Sequence, residues 1–270
     1  MPSISRGVKF HISLALTCVF AACAGNNTAS IVGVPGKKVV SPQAPLMETG
    51  GVLPQGKSPI DALNMYLDGF HFYNGQIQSQ VEAHHFCSII NEEVNQCVIF
   101  DGNTKDAKII GVEYIISKRL FQMLPPEEKK LWHSHVHEVK SGQLVAPGIP
   151  QQAEHEFMQK LIGTYGKTWH TWHTDQSLVL PLGHPLLMMG FTADGQAQAG
   201  LVASRDRRLQ IQSKDKRKDR KGIVAPPIAP GADAWQQGHV LQLTLKSLKQ
   251  DAVVSHPDDP TKRAPVPTPR

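Results

Sequence analysis

Hydrophobic positions change their spacing several times along the chain, and each change predicts an element. In SPIDALNMYLDGF, Ile60, Leu63, Leu67 and Phe70 recur at helical intervals behind Ser58 and Pro59, with Gly69 near the stop. A capping residue, a first-turn proline and one apolar face predict a short amphipathic helix. Alternation then takes over. Segments around Val81 to Ile90, Asn95 to Phe100 and Ala107 to Ile116 are rich in β-branched residues and joined by short polar links, which predicts an antiparallel meander. KRLFQMLPPEEKKLW reads as two helical pieces broken at Pro125 and Pro126. HVHEVKSGQLVAPG reads as a hairpin around Ser141 and Gly142. PQQAEHEFMQKLIGTYG predicts a firmer helix, opened by Pro150, striped by Ala153, Phe157, Leu161 and Tyr165, and ended by Gly163 or Gly166. KTWHTWH, HPLLMMGFTAD and HVLQLTLKSL supply later strands. Helices interspersed with sheet segments, without regular βαβ alternation, predict an α+β fold: a single domain with an antiparallel sheet and a few helices.

The two ends read differently. Residues 1–22 carry Arg6 and Lys9 ahead of an apolar run and close on small residues. This is the pattern of a signal peptide, too short for a span that needs about 20 apolar residues. Two processing routes stay open. VFAAC resembles a lipobox in which Cys23 becomes the lipidated first residue, anchoring the chain in a cell envelope (outer membrane or periplasm in a Gram-negative cell). ACA ending at Ala24 suits ordinary cleavage and secretion. Residues 23–57 lack period and read as a flexible tether, 58–248 as the folded domain, and 249–270 as a disordered Pro-rich tail.

Charge is concentrated in one place. The run Arg205 to Lys221 holds nine Lys or Arg against three Asp, a balance of 9 minus 3, or +6, while the 270-residue chain carries only +5. Such a run either attracts anionic lipid headgroups, at about 1 kcal/mol per basic residue near the surface, or forms a solvated face partly neutralised by Asp206, Asp215 and Asp219. No aromatic residue is interleaved for base stacking, and nucleic acid is not an expected partner.

Candidate chemistry rests on the 13 histidines. In a strand His133, His135 and His137 share one face, whereas in a helix His133 and His137 come together. His84 and His85 are adjacent, so in a strand only one can join such a site; His85 shares its face with Cys87 and His84 with Glu82. Two or three neutral imidazoles with a carboxylate from Glu82, Glu138 or Asp101 could hold zinc or iron and leave a position for water. The H-E-x-x-H pattern is absent, and Glu127 stands where a cupin motif needs glycine. The competing reading makes these histidines hydrogen-bonded core residues. HFCSIINEEVNQCVIF reads as two strands around a turn near Glu92, placing Cys87 opposite Cys97 as a disulfide or as two buried thiols.

QVEAHHFC, NEEVNQCVIFD, IGVEYIIS, LPPEEKKLWHSH, EVKSGQLVAPG, YGKTWHTW, LMMGFTADGQ and GADAW, in that order, resemble the family that includes the plant oil body-associated proteins, over about Ile60 to Leu245. The resemblance implies a shared set of six histidines, His71, His84, His85, His133, His135 and His170, as metal-ligand candidates. His137, His173 and His184 depart from it. It also implies that a bond between Cys87 and Cys97 is not essential, because plant members live in reducing cytoplasm, and it implies contact with a lipid surface while assigning no reaction. Two functions follow: an envelope lipoprotein acting as a lipid- or membrane-surface binding or structural module, and a metal-dependent hydrolase or oxidoreductase in which Glu82 or Glu138 acts as base toward a metal-bound water.

Overall fold

A computed structural model describes residues 27–35 and 58–247; the leader, Cys23 and the tail from 248 lie outside the described residues. Strands β1 (Met65–Tyr73), β2 (Gln76–Asn91), β3 (Val94–Phe100) and β4 (Ile109–Ser117) form the meander, each antiparallel to the next. Five short elements follow. These are helix α2 (Lys118–Met123), α3 (Pro126–Lys129), strand β5 (His133–Ser134), α4 (Val136–Ser141) and α5 (Gln151–Leu161), with α1 (Ser58–Asp61) preceding β1. Strand β6 (Thr164–His170) then pairs with β4 from Ser117 opposite Thr164 to Gly111 opposite His170. Strand β7 (Leu186–Met189) pairs with both β6 and β1. The order β1-β2-β3-β4-β6-β7 thus returns to β1, and the expected antiparallel sheet is a closed six-stranded barrel, more specific than an α+β arrangement. Closure leaves these strands without an unpaired edge.

Three local expectations are corrected. The helix expected from Ser58 to Gly69 ends at Asp61, and Leu67 and Phe70 belong to β1. Their spacing imitates a helix face, but in a strand they point to opposite sides. Leu67 enters the barrel, while Phe70 and Phe72 pack outside against Leu201 and Val202 of helix α6 (Ala199–Leu209). A strand covered on both sides shows no hydrophobic alternation. The hairpin around Ser141 is instead α4, which stops at Gly142 in the left-handed region (φ 78°). Residues 240–247 form no strand; the Gln242 amide bonds Leu187 N and the carbonyls of Asn74 and Leu187. Helix α5 stands where expected, yet its buried side runs through Glu154, Met158 and Leu161, with Ala153 exposed. Tyr165 lies in β6 and stacks on Phe121 at 4.0 Å between centroids.

The basic run forms the end of α6 and helix α7 (Ser213–Asp219). Five of its nine cations, Arg205, Arg208, Lys216, Arg217 and Arg220, pair with Asp68, Glu82, Glu154, Asp194 and Asp206. Arg205 and Arg220 are wholly buried. Arg205 and Arg208 fasten α6 to strands β1 and β2, and Lys216 and Arg220 join the run to Glu154 of α5. Residues 27–35, expected within the tether, lie against the same wall: Thr28 Oγ1 accepts from Arg208 Nε at 3.0 Å, and Ser30 Oγ donates to Asp101 at 2.6 Å.

Inside, the barrel is layered. Leu67, Ile115 and the Cys87–Cys97 pair, joined as a disulfide across the β2–β3 register, pack under Val139 of α4 and Met158 and Leu161 of α5. Tyr73, Val81, Ala83, Ile99, Ile110 and Met188 fill the opposite end. Between the two apolar layers the inward positions are polar.

Candidate functional site

Strand alternation carries five polar side chains into that middle layer. Leu67 faces His85 across β1 and β2, Cys97 faces Glu113 across β3 and β4, and Glu113 faces Thr168 across β4 and β6. His71 and His170 lie two strand positions from Gly69 and Thr168, on the same side. His133 enters from β5, where it faces Gly166. His135 caps α4 and Glu138 occupies its first turn. Glycines make the room. A Cβ on Gly166 would collide with Glu113 Oε1 and come within 2.7 Å of His133 Nε2, and one on Gly190 would lie 3.0 Å from Glu138 and His133.

Glu113 is the hub of the cluster. His85 Nε2 lies 2.9 Å and His71 Nε2 3.8 Å from its Oε2, while His135 Nε2 lies 3.2 Å and His133 Nε2 3.5 Å from its Oε1. Glu138 Oε2 is 3.8 Å from His133 Nε2. His71 touches His85, His133 and His170 ring to ring at 5.1, 5.6 and 5.5 Å between centroids. All of these residues are buried. His71, His85, Glu113, His135 and Glu138 border, with Leu67, Ile115 and Leu144, a space of about 10 Å³, room for a single water-sized body.

Burial dictates the charge states. It holds His71 well below the usual imidazole range and lowers His133 and His170 to about 3, so these rings are neutral at pH 7. Burial also pushes the Glu113 carboxyl up, but the nearby imidazoles of His135 and His85 outweigh it and hold the group well below its ordinary value. Burial, followed by the charges of Glu113 and Asp233, raises Glu138 well above that value, which favours its neutral form.

Of the residues expected at a site, His71, His85, His133, His135, His170 and Glu138 meet in the barrel. His84 and Glu82 do not. They lie on the outer side of β2 with Asp68, where His84 Nδ1 is 2.8 Å from Tyr66 Oη and 3.1 Å from Asp68 Oδ2. Arg205 and Arg208 pair with Asp68 and Glu82 there. Asp101 is held in the β3–β4 turn, accepting from Lys108 N at 2.7 Å. His137 is turned toward Asp194 and Arg217. Glu113 was not among the candidate carboxylates, yet IGVEYIIS carries a readable signal: a lone charge at an alternate position of a strand whose same-side neighbours are Gly111 and Ile115.

Among the described residues, three groups of side chains could hold a metal ion: His71, Glu113 and His133; His133, His135 and Glu138; and Asp68, Glu82 and His84. The first two share His133 inside the barrel. In the third, arginines already neutralise both carboxylates.

A family model described as "Protein of unknown function (DUF1264)" matches residues 57–224. The chain is 42% identical over 209 residues to oil body-associated protein 1A of Zea mays, covering 77% of this chain and 87% of that one. It is 38% identical over 226 residues to oil body-associated protein 1B of Arabidopsis thaliana, covering 83% and 93%.

The chain belongs to the oil body-associated protein family.

A third member of the family, protein 2C of Arabidopsis thaliana, is 36% identical over 195 residues, 71% of this chain and 82% of that one. No solved structure matches. The family relationship corrects the expected localisation: its plant members are named for oil bodies, and this overturns the reading of a lipid-anchored protein of a bacterial cell envelope. Among the described residues no helix is long and apolar enough to cross a membrane.

Proposed function

We propose that this chain works at the surface of lipid droplets as a binding or structural module. The observation that carries the reading is its identity with the oil body-associated relatives over most of both chains. The surface supplies a means of contact. In the loop between β6 and β7, Val179, Leu180 and Leu182 are 46%, 40% and 57% exposed, and apolar side chains on one loop enter a lipid monolayer by the same burial that drives folding. The basic run, with five of its nine cations in ion pairs, contributes less. The test is flotation of the full chain with triolein droplets coated in phosphatidylcholine. Co-flotation that survives high salt and falls when Val179, Leu180 and Leu182 are replaced by Ser supports the reading. Protein that stays in the aqueous layer at every salt concentration overturns it.

The buried histidine–carboxylate cluster favours a second reading, a hydrolase or oxidoreductase built on zinc or iron. In that role Glu82 is on the wrong side of β2, and Glu138, whose neutral form burial favours, suits a proton donor better than a base. The small interior volume and the apolar layers at both ends restrict such chemistry to very small reactants. Turnover of a small ester or a peroxide by metal-replete protein, abolished by chelation, would establish it; absence of both activities in a sample shown to contain metal would remove it.

A further inference from the structure

We infer that the barrel interior binds one divalent transition-metal ion, held by Glu113 with His71 and His133 and completed by His85 or His135. The inference deepens the second reading by naming its ligands, and it requires neither turnover nor lipid.

Spacing is the first argument. The four Nε2 atoms lie 2.9, 3.2, 3.5 and 3.8 Å from the nearer Glu113 oxygen. Nitrogen and oxygen ligands about 2.0–2.2 Å from a tetrahedral ion are separated by about 3.3–3.6 Å. His71, Glu113 and His133 each offer a ligand atom within 4.8 Å of the other two, the group that an ion would draw together.

Proton bookkeeping is the second. The Thr164 hydroxyl donates to Leu161 O at 2.7 Å, so at 2.8 Å from His135 Nδ1 it accepts that ring's N–H. The other ring nitrogen, Nε2, faces Glu113 Oε1 at 3.2 Å and is the atom that a cation would take. A hydroxyl that fixes the tautomer of a ligating imidazole is the usual outer support of a metal site.

Third, the cluster is short of hydrogen-bond partners. His71 Nδ1, both nitrogens of His85, His133 and His170, Thr168 Oγ1 and Glu138 Oε2 are buried without one. His85 Nε2 is among them despite its 2.9 Å approach to Glu113, because the ring is not aligned for hydrogen bonding. Buried polar atoms left unpaired each cost about 1–3 kcal/mol, and a core so built is sustained when the lone pairs are spent on an ion. Imidazole and carboxylate donors without thiolate select zinc, iron or a neighbouring first-row metal over magnesium or calcium. Cys87 and Cys97, bonded to each other, offer no thiolate.

The test uses the full chain purified without a polyhistidine tag, stripped with chelator, reloaded with zinc or ferrous ion, and analysed for metal after dialysis. About one equivalent is expected. It is retained by His137→Ala and by His84→Gln, which changes the outer group, and weakened at least about tenfold in Glu113→Gln and His133→Ala. Cobalt(II), as a spectroscopic probe, should give ligand-field bands in the wild type that Glu113→Gln lacks. If the variants do not fold, the wild type decides alone: zinc must raise the melting temperature of stripped protein. A wild type that keeps under about a tenth of an equivalent with no thermal shift, or a folded Glu113→Gln that binds like wild type, overturns the inference. Retained metal with lost flotation would count only against the lipid reading.

Discussion

Arg205 offers the sharpest test of how the barrel wall is held. Its guanidinium is fully buried, donates to Asp68 Oδ1 at 2.6 Å, Gln143 O at 2.8 Å, Asp206 Oδ1 at 2.9 Å and Ser213 Oγ at 3.0 Å, and lies 4.7 Å over the Phe70 ring. It thereby ties α6, α7 and the segment after α4 to the outside of β1. Arg205→Met keeps much of the apolar stem but strands the Asp68 carboxylate, itself wholly buried. Removing one partner of such a pair costs about 3–5 kcal/mol. For a domain of about 150–250 residues each kcal/mol lowers the melting temperature by about 2–4 °C, so a fall of about 6–20 °C is expected. The pair itself, set against its desolvation, is worth much less. Asp68→Asn combined with Arg205→Met should therefore be more stable than Arg205→Met alone. Urea unfolding and calorimetry of the two singles and the double measure the coupling. A cost under about 1 kcal/mol for Arg205→Met, or a double variant as unstable as the summed singles, would refute the reasoning.

Other consequences follow from the interior. Gly166→Ala should cost about 1–3 kcal/mol and abolish zinc-induced stabilisation, because the added methyl meets both Glu113 and His133; unchanged metal binding would count against the packing described. In chelated protein the neutral state of His170 contributes stability that is present above the ordinary histidine pKa of about 6.5 and lost as pH falls toward its folded value of about 3. His170→Gln should flatten the pH dependence of unfolding across that window by about 1.4 kcal/mol per pH unit relative to wild type, and parallel curves would show that the ring does not titrate as described. The disulfide closes a separation of 10 residues within a hairpin that already holds its ends together. Reduction should lower stability by no more than about 3 kcal/mol and leave the barrel folded, and unfolding on reduction alone would contradict this.

What could be read from the chain depended on which faces of each element meet water. β4 shows alternating exposure, with Val112 and Tyr114 outside and Glu113 and Ile115 inside, and its alternation was legible. β1 is covered on both sides, so nothing in its pattern distinguished strand from helix. Barrel closure was not legible either, because it depends on β4 meeting β6 across four intervening helices and β5, a pairing with no local signature. The same limit applies to the site. Histidine is rare enough to stand out, and the rings that gather came from that cue, but His84 stood out equally and lies behind the wall. Glu113 does not stand out because a single glutamate among β-branched residues looks like a solvent-facing position until the cross-strand partners Cys97 and Thr168 reveal its direction. The basic run looked like a free surface because its partners Asp68, Glu82 and Glu154 are distant in sequence.

A barrel that places five imidazoles and two carboxylates between two apolar layers is an arrangement that a coordinated cation would stabilise. Diffraction from zinc-loaded crystals, recorded on both sides of the zinc absorption edge, locates any bound ion without reference to activity. The expected result is one strong anomalous peak within the barrel, in bonding contact with Glu113 and the surrounding Nε2 atoms. Density of that kind beside His84 and Glu82, or a barrel interior showing none in protein that contains zinc, would contradict it.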